Sequence, residues 1–435
     1  MASVEGVDHN EADELPLSVT RFILLTSLIL VSTLPASAQQ DPADAGTRLL
    51  QDARVKAALD SIRAAEPQTI ETQISLCEIE APPFKEARRA EAYARLFREA
   101  GLENVRIDKA GNVLGERPGA QSRPHLVFSA HLDTVFPEGT NVKVKREGQV
   151  LRGPGIGDDC RGLAVLLAVA RTLNQTGIRT PGSITFVGTV GEEGLGDLRG
   201  VKQLFDDTLK GSIDRFVSID GTGLGITNVA VGSVRYRITF RGPGGHSYGA
   251  FGLSNPIHAL GRAMAAIADF QVPKEPKTTF NVGRIGGGTS VNAIPFEAWM
   301  EVDMRSTDAA SLKAVDEKFH AAVDEAVRAE DARWNKKVLS VETQPVGSRP
   351  AGQTPPDSPI VLAAASATRA LNLPVSLDEA STDSNVAMSR GIPAITIDGG
   401  GRGTGSHALN ETFDQTDSWK GSQRALLLCL ALAQQ

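Results

Sequence analysis

The strand–helix texture of this chain changes twice, and that double change limits its fold more than any other feature. Residues 126–130 and 184–190 are short apolar runs of strand type, with a helical stretch at 163–173 between them. Strands alternating with helices predict an α/β layer on a mixed or parallel sheet. From Gly232 the pattern differs. Residues 234–240 alternate with period two, as a half-exposed strand does. A helix at 256–270, strands at 279–285 and 298–304, a helix at 311–333 and a strand at 338–343 complete the order β-α-β-β-α-β of a ferredoxin-like unit. The Gly/Pro-rich residues 345–359 read as a linker, after which a helix at 360–371 and a strand at 394–397 resume the first texture. The smaller unit, 231–345, is therefore expected to be inserted in a larger one built from 45–230 and 346–435. A chain of 435 residues is long enough for two such cores.

Ahead of this lies a targeting signal. Residues 22–34 are apolar and too short to span a bilayer, and Ala36-Ser37-Ala38 follows as a small-residue cleavage site. Residues 1–38 are thus expected to be a leader cleaved after Ala38, for a periplasmic or secreted protein with no membrane attachment thereafter. Glu11, Asp13 and Glu14 precede the lone Arg21 where positive charge belongs, so we place the true start near Val19. The net charge of -7, without a basic stripe, argues against a nucleic-acid partner. Cys77, Cys160 and Cys429 are far apart and form no CxxC pair, which argues against a disulfide framework or a thiolate metal site.

The polar residues that end the strands carry the chemistry. His131-Leu132-Asp133 follows the strand at 126–130, and alternation by two puts His131 and Asp133 on one side. Asp133 is placed to accept the second ring N–H of His131, leaving the other nitrogen's lone pair for a metal. Gly153-Pro154-Gly155-Ile156-Gly157 leads into Asp158-Asp159, where glycines let the backbone approach a charged centre and adjacent carboxylates call for a cation. Glu192-Glu193 closes the strand at 184–190 between two glycines; one can bind metal while the other takes a proton from water. Asp220 ends a strand at 216–219, and His407 lies in a late glycine-rich loop. Ligands gather at the carboxyl ends of strands in open α/β sheets. This set of nitrogen and oxygen donors, with no thiol, suits zinc.

In order and spacing these motifs resemble the zinc exopeptidase and deacylase family of peptidase T, carboxypeptidase G, acetylornithine deacetylase, succinyl-diaminopimelate desuccinylase and aminoacylase. The resemblance covers about residue 65 to the C-terminus. It implies a mixed-sheet catalytic domain with an inserted ferredoxin-like dimerisation domain, a homodimer, and two zinc ions replaceable by cobalt or manganese. His131 and Asp220 would hold one ion, Glu193 and His407 the other, and Asp158 would bridge them. Glu192 would be the general base and Asp133 would orient His131. In the inserted unit, His246 of Gly242-Pro243-Gly244-Gly245-His246 would stabilise the oxyanion, with Asn292 and Arg305 holding the substrate's carboxylate. Substrates would be short peptides or N-acyl amino acids.

Two departures from the family pattern stand out. Cys160-Arg161 occupies the place of the usual Lys-Gly after the bridging aspartate, which predicts altered charge behind the site and a buried thiol near it. Asp220 stands where carboxypeptidases and deacylases generally carry glutamate, which resembles the aminopeptidase and dipeptidase branch. The competing readings are a carboxypeptidase or deacylase and, from another class, an inactive metal- or peptide-binding protein on the same scaffold.

Overall fold

The computed structural model describes residues 41–434, so the leader expected over 1–38 lies outside the described residues. The described chain opens with three helices, Ala45–Leu49, Ala53–Ala64 and Glu66–Cys77 (α1). Asp52 caps the second by accepting from Arg54 N, and Pro67 sits in the first turn of α1, where its missing N–H costs nothing.

The large sheet begins with β1 (Glu103–Ile107), β2 (Val113–Arg117) and β3 (His125–His131). Helix α2 (Cys160–Thr176) then leads to β4 (Ser183–Thr189), β5 (Arg215–Ile219) and β6 (Ile226–Ala230). Strands β3, β4 and β5 are parallel neighbours with β3 in the middle. Such strands are covered on both faces, so their sequences are mainly apolar, with small polar residues such as Ser129, Thr185 and Ser218 buried among them. Leu126, Phe128 and Ala130 face the core with α2, while Val127 joins a second cluster on the opposite face with Leu198, Val201 and Phe216.

The chain next crosses into a second sheet made of β7 (Gly232–Arg241), β8 (Thr278–Gly287), β9 (Glu297–Ser306) and β10 (Ser340–Arg349). Helices α3 (Pro256–Ala268) and α4 (Ala309–Arg333) connect them. The strand order is β8-β9-β7-β10, antiparallel throughout. Strand β9 alternates strictly: Ala298, Met300, Val302 and Met304 pack on Phe319 and Leu260 of the helices. Its helix-free face carries Trp299, Glu301, Asp303 and Arg305.

One expectation fails at the exit from this sheet. The last strand does not stop near 343, and 345–359 is not a free linker. Strand β10 runs to Arg349, with an irregularity between Pro345 and Gly347. Proline is tolerated because β10 is an edge strand, where a missing N–H breaks no essential ladder bond. The chain then returns through β11 (Gly352–Gln353), helix α5 (Pro359–Ala370), β12 (Leu377–Ala380) and β13 (Ala394–Ile397), ending in α6 (Trp419–Leu432). Strand β13 inserts between β5 and β6 and completes the mixed sheet β1-β2-β4-β3-β5-β13-β6-β11, with β12 beside β6.

Candidate metal centre and its cleft

The register of the parallel strands places His131 beside Thr189, so the ends of β3 and β4 lie level, next to the end of β5. His131, the Glu192–Glu193 pair and Asp220 therefore emerge at one edge. Asp158 joins them from the glycine loop. Gly155, Gly157 and Asp158 each donate a backbone N–H to the Glu411 carboxylate, at 2.9, 2.8 and 3.0 Å. A Cβ at Gly157 would come within 3.0 Å of that carboxylate, so glycine is required by the close approach. Burial, with Asp158 nearby, pushes the Glu411 carboxyl up to about 7.

His131 Nε2 lies 3.1 Å from Asp158 Oδ1 and 3.8 Å from Asp220 Oδ1. On the other side, His407 Nε2 lies 3.1 Å from Asp158 Oδ2 and 3.0 Å from Glu193 Oε1. Asp158 thus offers one oxygen to each of two clusters, His131–Asp158–Asp220 and Asp158–Glu193–His407; within each the donor atoms fall within 4.8 Å of one another, as do those of His131, Glu192 and Glu193. Like charges are crowded here. Burial, reinforced by Asp158 and Glu193, pushes the Asp220 carboxyl up to about 7. Hydrogen bonds to Asp158 and Glu193 push His407 up to about 10. Buried carboxylates held this close, interleaved with imidazole nitrogens, fit divalent cations in both chemistry and geometry.

Asp133 is where the structure corrects the sequence reading. His131 Nδ1 meets the backbone carbonyl of Asp133 at 3.0 Å, whereas the Asp133 carboxylate is 3.8 Å away. That carboxylate accepts the backbone N–H groups of Glu192 and Glu193, at 3.1 and 2.8 Å, and so shapes the loop after β4. The tautomer outcome is unchanged: a carbonyl partner keeps the proton on Nδ1 and frees Nε2. Asp159 accepts from His131 N at 3.0 Å and caps α2 through Gly162 N, also at 3.0 Å.

The Cys160-Arg161 departure also resolves. The fully buried Arg161 guanidinium bonds Glu66 Oε1 at 2.9 Å, Gly399 O at 2.8 Å and Ser418 O at 2.6 Å. Its charge is answered by Glu66 and does not add to the cluster. Cys160 and its neighbour Cys77 are both buried free thiols.

A cleft of about 710 Å³ opens between the two sheets, lined by the cluster on one side and by Arg235, Asp303 and Arg305 on the other. Asp303 accepts from Arg235 Nε at 2.8 Å and from Arg305 Nε at 2.7 Å. Against its burial, these bonds hold the Asp303 carboxyl below the usual carboxylate range. Arg305 keeps its terminal nitrogens for a ligand. Two expected residues are elsewhere. His246 pairs opposite Ala293, next to Asn292, and both side chains are exposed and outside the cleft lining. His246 Nδ1 accepts from Tyr248 N and Gly249 N at 3.2 and 3.3 Å, so its Nε2–H points outward as a donor.

Sequence reasoning missed Glu411, Arg235 and Arg349, and singled out Asp159 only as the neighbouring carboxylate of Asp158. Arg349 bonds Glu192 Oε1 at 3.0 Å and also the Glu192 carbonyl. Glu192 itself is buried, which pushes its carboxyl well above the usual range while Arg349 opposes the shift.

Two histidine–carboxylate clusters sharing an aspartate, with Glu192 held alongside by Arg349, define a metal-dependent hydrolase. The chain belongs to peptidase family M20/M25/M40, whose family profile matches residues 127–430. Among its relatives is the uncharacterised protein YqjE of Bacillus subtilis, 26% identical over 349 residues, covering 76% of this chain and 90% of that one. The fold is shared with the aminopeptidase PepT of Bacillus cereus, at a TM-score of 0.68 and 22% identity over 84% of this chain and 98% of that one. It is shared too with the Bacillus subtilis YXEP protein, described as a dinuclear metal-binding peptidase, at a TM-score of 0.64 and 19% identity over 85% and 98%.

Proposed function

We propose that this chain hydrolyses amide bonds of short peptides with a free amino terminus, as a di-zinc aminopeptidase or dipeptidase. The observation that carries the reading is the position of Asp158, one oxygen toward each histidine, with Glu192 beside both clusters and ion-paired to Arg349. His131 and Asp220 would hold one ion, Glu193 and His407 the other, and Asp158 both. When bound, two such ions polarise the scissile carbonyl and lower the pKa of the attacking water. Glu192 takes the water's proton and returns it to the leaving amine. Arg305, anchored through Nε by Asp303, turns its terminal nitrogens to the substrate's carboxylate, as a planar guanidinium does and a lysine does not.

Asp220 in place of the glutamate common in carboxypeptidases and deacylases inclines the substrate to unblocked peptides. His246 and Asn292 are supplied by a second copy through the small sheet, and the outward Nε2–H of His246 suits an oxyanion. The leader over 1–38 would carry the protein to the periplasm or outside the cell. The test compares di- and tripeptides with N-acetyl and N-succinyl amino acids, before and after metal removal and with zinc restored. Cleavage of unblocked peptides alone supports the reading. Cleavage of the acylated set alone makes the chain a deacylase, and no turnover of either with zinc bound makes it a binding protein.

A further inference from the structure

The chain crosses between the two sheets twice, at 230–232 and 349–352, and the crossings lie side by side because Arg349 is the register partner of Ser233. One buried side chain ties them together: Asn385 Nδ2 donates to Val231 O and Pro350 O, both at 2.9 Å. From this junction three contacts reach the loop that follows β4. Arg349 grips Glu192, Arg235 Nη1 bonds Gly194 O at 3.2 Å, and Ser348 N bonds Asp197 Oδ1 at 2.6 Å. The loop needs such outside support. Gly191, Gly194, Asp197 and Leu198 all have positive φ, and non-glycine residues hold that conformation only where their surroundings impose it.

Two other buried arginines show what Arg349 is not. Arg89 and Arg424 direct their bonds to main-chain carbonyls, as arginines that brace a fold do. Arg349 holds both the carboxylate and the carbonyl of a single residue, with side-chain exposures of 7% for Arg349 and 6% for Glu192. A glutamate fixed at both ends has little freedom to swing toward its neighbour's cation or into the cleft.

We infer that Arg349 is a positioning residue that aims the Glu192 carboxylate, and that it does so from the junction between the two sheets, so that the seating of the small sheet sets the geometry of the base. The inference rests on the reading of Glu192 as the base. Its energetic content is orientation: proton transfer requires the carboxylate within hydrogen-bond reach of the water, and a misplacement of about 1 Å costs on the order of a hundredfold.

The experiment is a double-substitution cycle on the zinc-loaded full chain, with metal content, kcat and KM measured for Glu192→Gln, Arg349→Met, Arg349→Lys and Glu192→Gln/Arg349→Met. Glu192→Gln is expected to lower kcat by roughly two to four orders of magnitude. Arg349→Met should lower kcat by about thirty- to a hundredfold with KM within about threefold, two metals retained. Arg349→Lys, able to keep one of the two contacts, should fall between it and the unaltered protein. The double variant should lie within about threefold of Glu192→Gln alone, because a residue acting through Glu192 has nothing left to position. A Glu192→Gln variant with near-normal kcat removes the base assignment, and the functional reading falls with it. If Glu192→Gln is crippled but Arg349→Met keeps its kcat, or the losses multiply in the double variant, only the present inference is overturned. Should Arg349→Met fail to fold or bind metal, Arg349→Lys decides. Normal kcat, or loss of metal or fold, in the lysine variant overturns the inference, and an intermediate kcat with both metals supports it.

Discussion

At the carboxyl ends of β3, β4 and β5, His131, Glu193 and Asp220 meet Asp158 and His407 with facing donor atoms 3.0 to 3.8 Å apart. At the corner of the small sheet, His246 and Asn292 stand exposed, and large apolar side chains around them are bare: Tyr248 is 89% exposed and Val291 fully so. The first region is finished by its own chain. The second has a donor with its tautomer set by two backbone N–H groups and no cluster of its own to serve. On the proposed reading, the contrast makes metal binding and oxyanion stabilisation separable in this molecule. The first is built into the large sheet's topology, and the second awaits the partner copy proposed above.

The largest expected effect tests the finished region. Prolonged dialysis against a chelator should bring peptidase activity to background, and added zinc or cobalt should restore it. Full turnover by protein shown to be metal-free would leave the two clusters without their assigned purpose.

The next tests the unfinished one. Glu192→Ala and His246→Ala chains, each inactive alone, are mixed after dissociation and reassociation. In a mixed dimer one site combines an intact Glu192 with the partner copy's intact His246. Random pairing should therefore recover roughly a quarter of normal activity in a two-fold dimer. A mixture that stays inactive, with heterodimers verified by mass, would show that His246 serves its own chain or none.

How far each region could be read in advance follows from what kind of signal holds it. The central strands announce themselves as mainly apolar runs because both faces are covered, and each leads into a ligand-type residue, so His131, Glu192, Glu193 and Asp220 were visible. The glycine loop was legible as a close backbone approach, although the charge it approaches first is Glu411, in a distant loop with no periodicity to mark it. The spacing of His131 and Asp133 correctly put them together. It could not reveal that the Asp133 carboxylate is occupied by the backbone of Glu192 and Glu193, since that depends on a parallel neighbour strand. Arg349 was hidden because proline and glycine mark a break in most strands, and only the edge position of β10 allows the strand to continue through them.

Between the regions, across the cleft, Arg305→Lys is expected to raise KM for peptides by about ten- to a hundredfold, the worth of a lost charge-assisted bond, with a smaller change in kcat. Asp303 would still find a cation, so metal content should not move. Unchanged KM would place the carboxylate subsite elsewhere on the cleft wall.

The smallest effect concerns the loop that presents Asp158. Glu411 uses both oxygens, one on Gly155 N and the other on Gly157 N and Asp158 N. Glu411→Gln preserves size and can keep the two bonds of one oxygen, but turns an amide N–H₂ toward the remaining buried N–H. One unsatisfied buried donor costs about 1–3 kcal/mol. In a domain of this size that corresponds to a fall in Tm of a few degrees. Because the Asp158 N–H stays bonded when the amide oxygen faces it, the carboxylate above should keep its place between His131 and His407, and kcat at saturating zinc should stay within about threefold. Thermal unfolding of the metal-free and zinc-loaded variants separates the two contributions. A lower Tm in both forms, with kcat retained, makes Glu411 a support of the loop backbone. A collapse of kcat with Tm unchanged would mean that its charge acts directly on the metal cluster, and the large sheet's site would then be less self-contained than its contrast with the His246 corner implies.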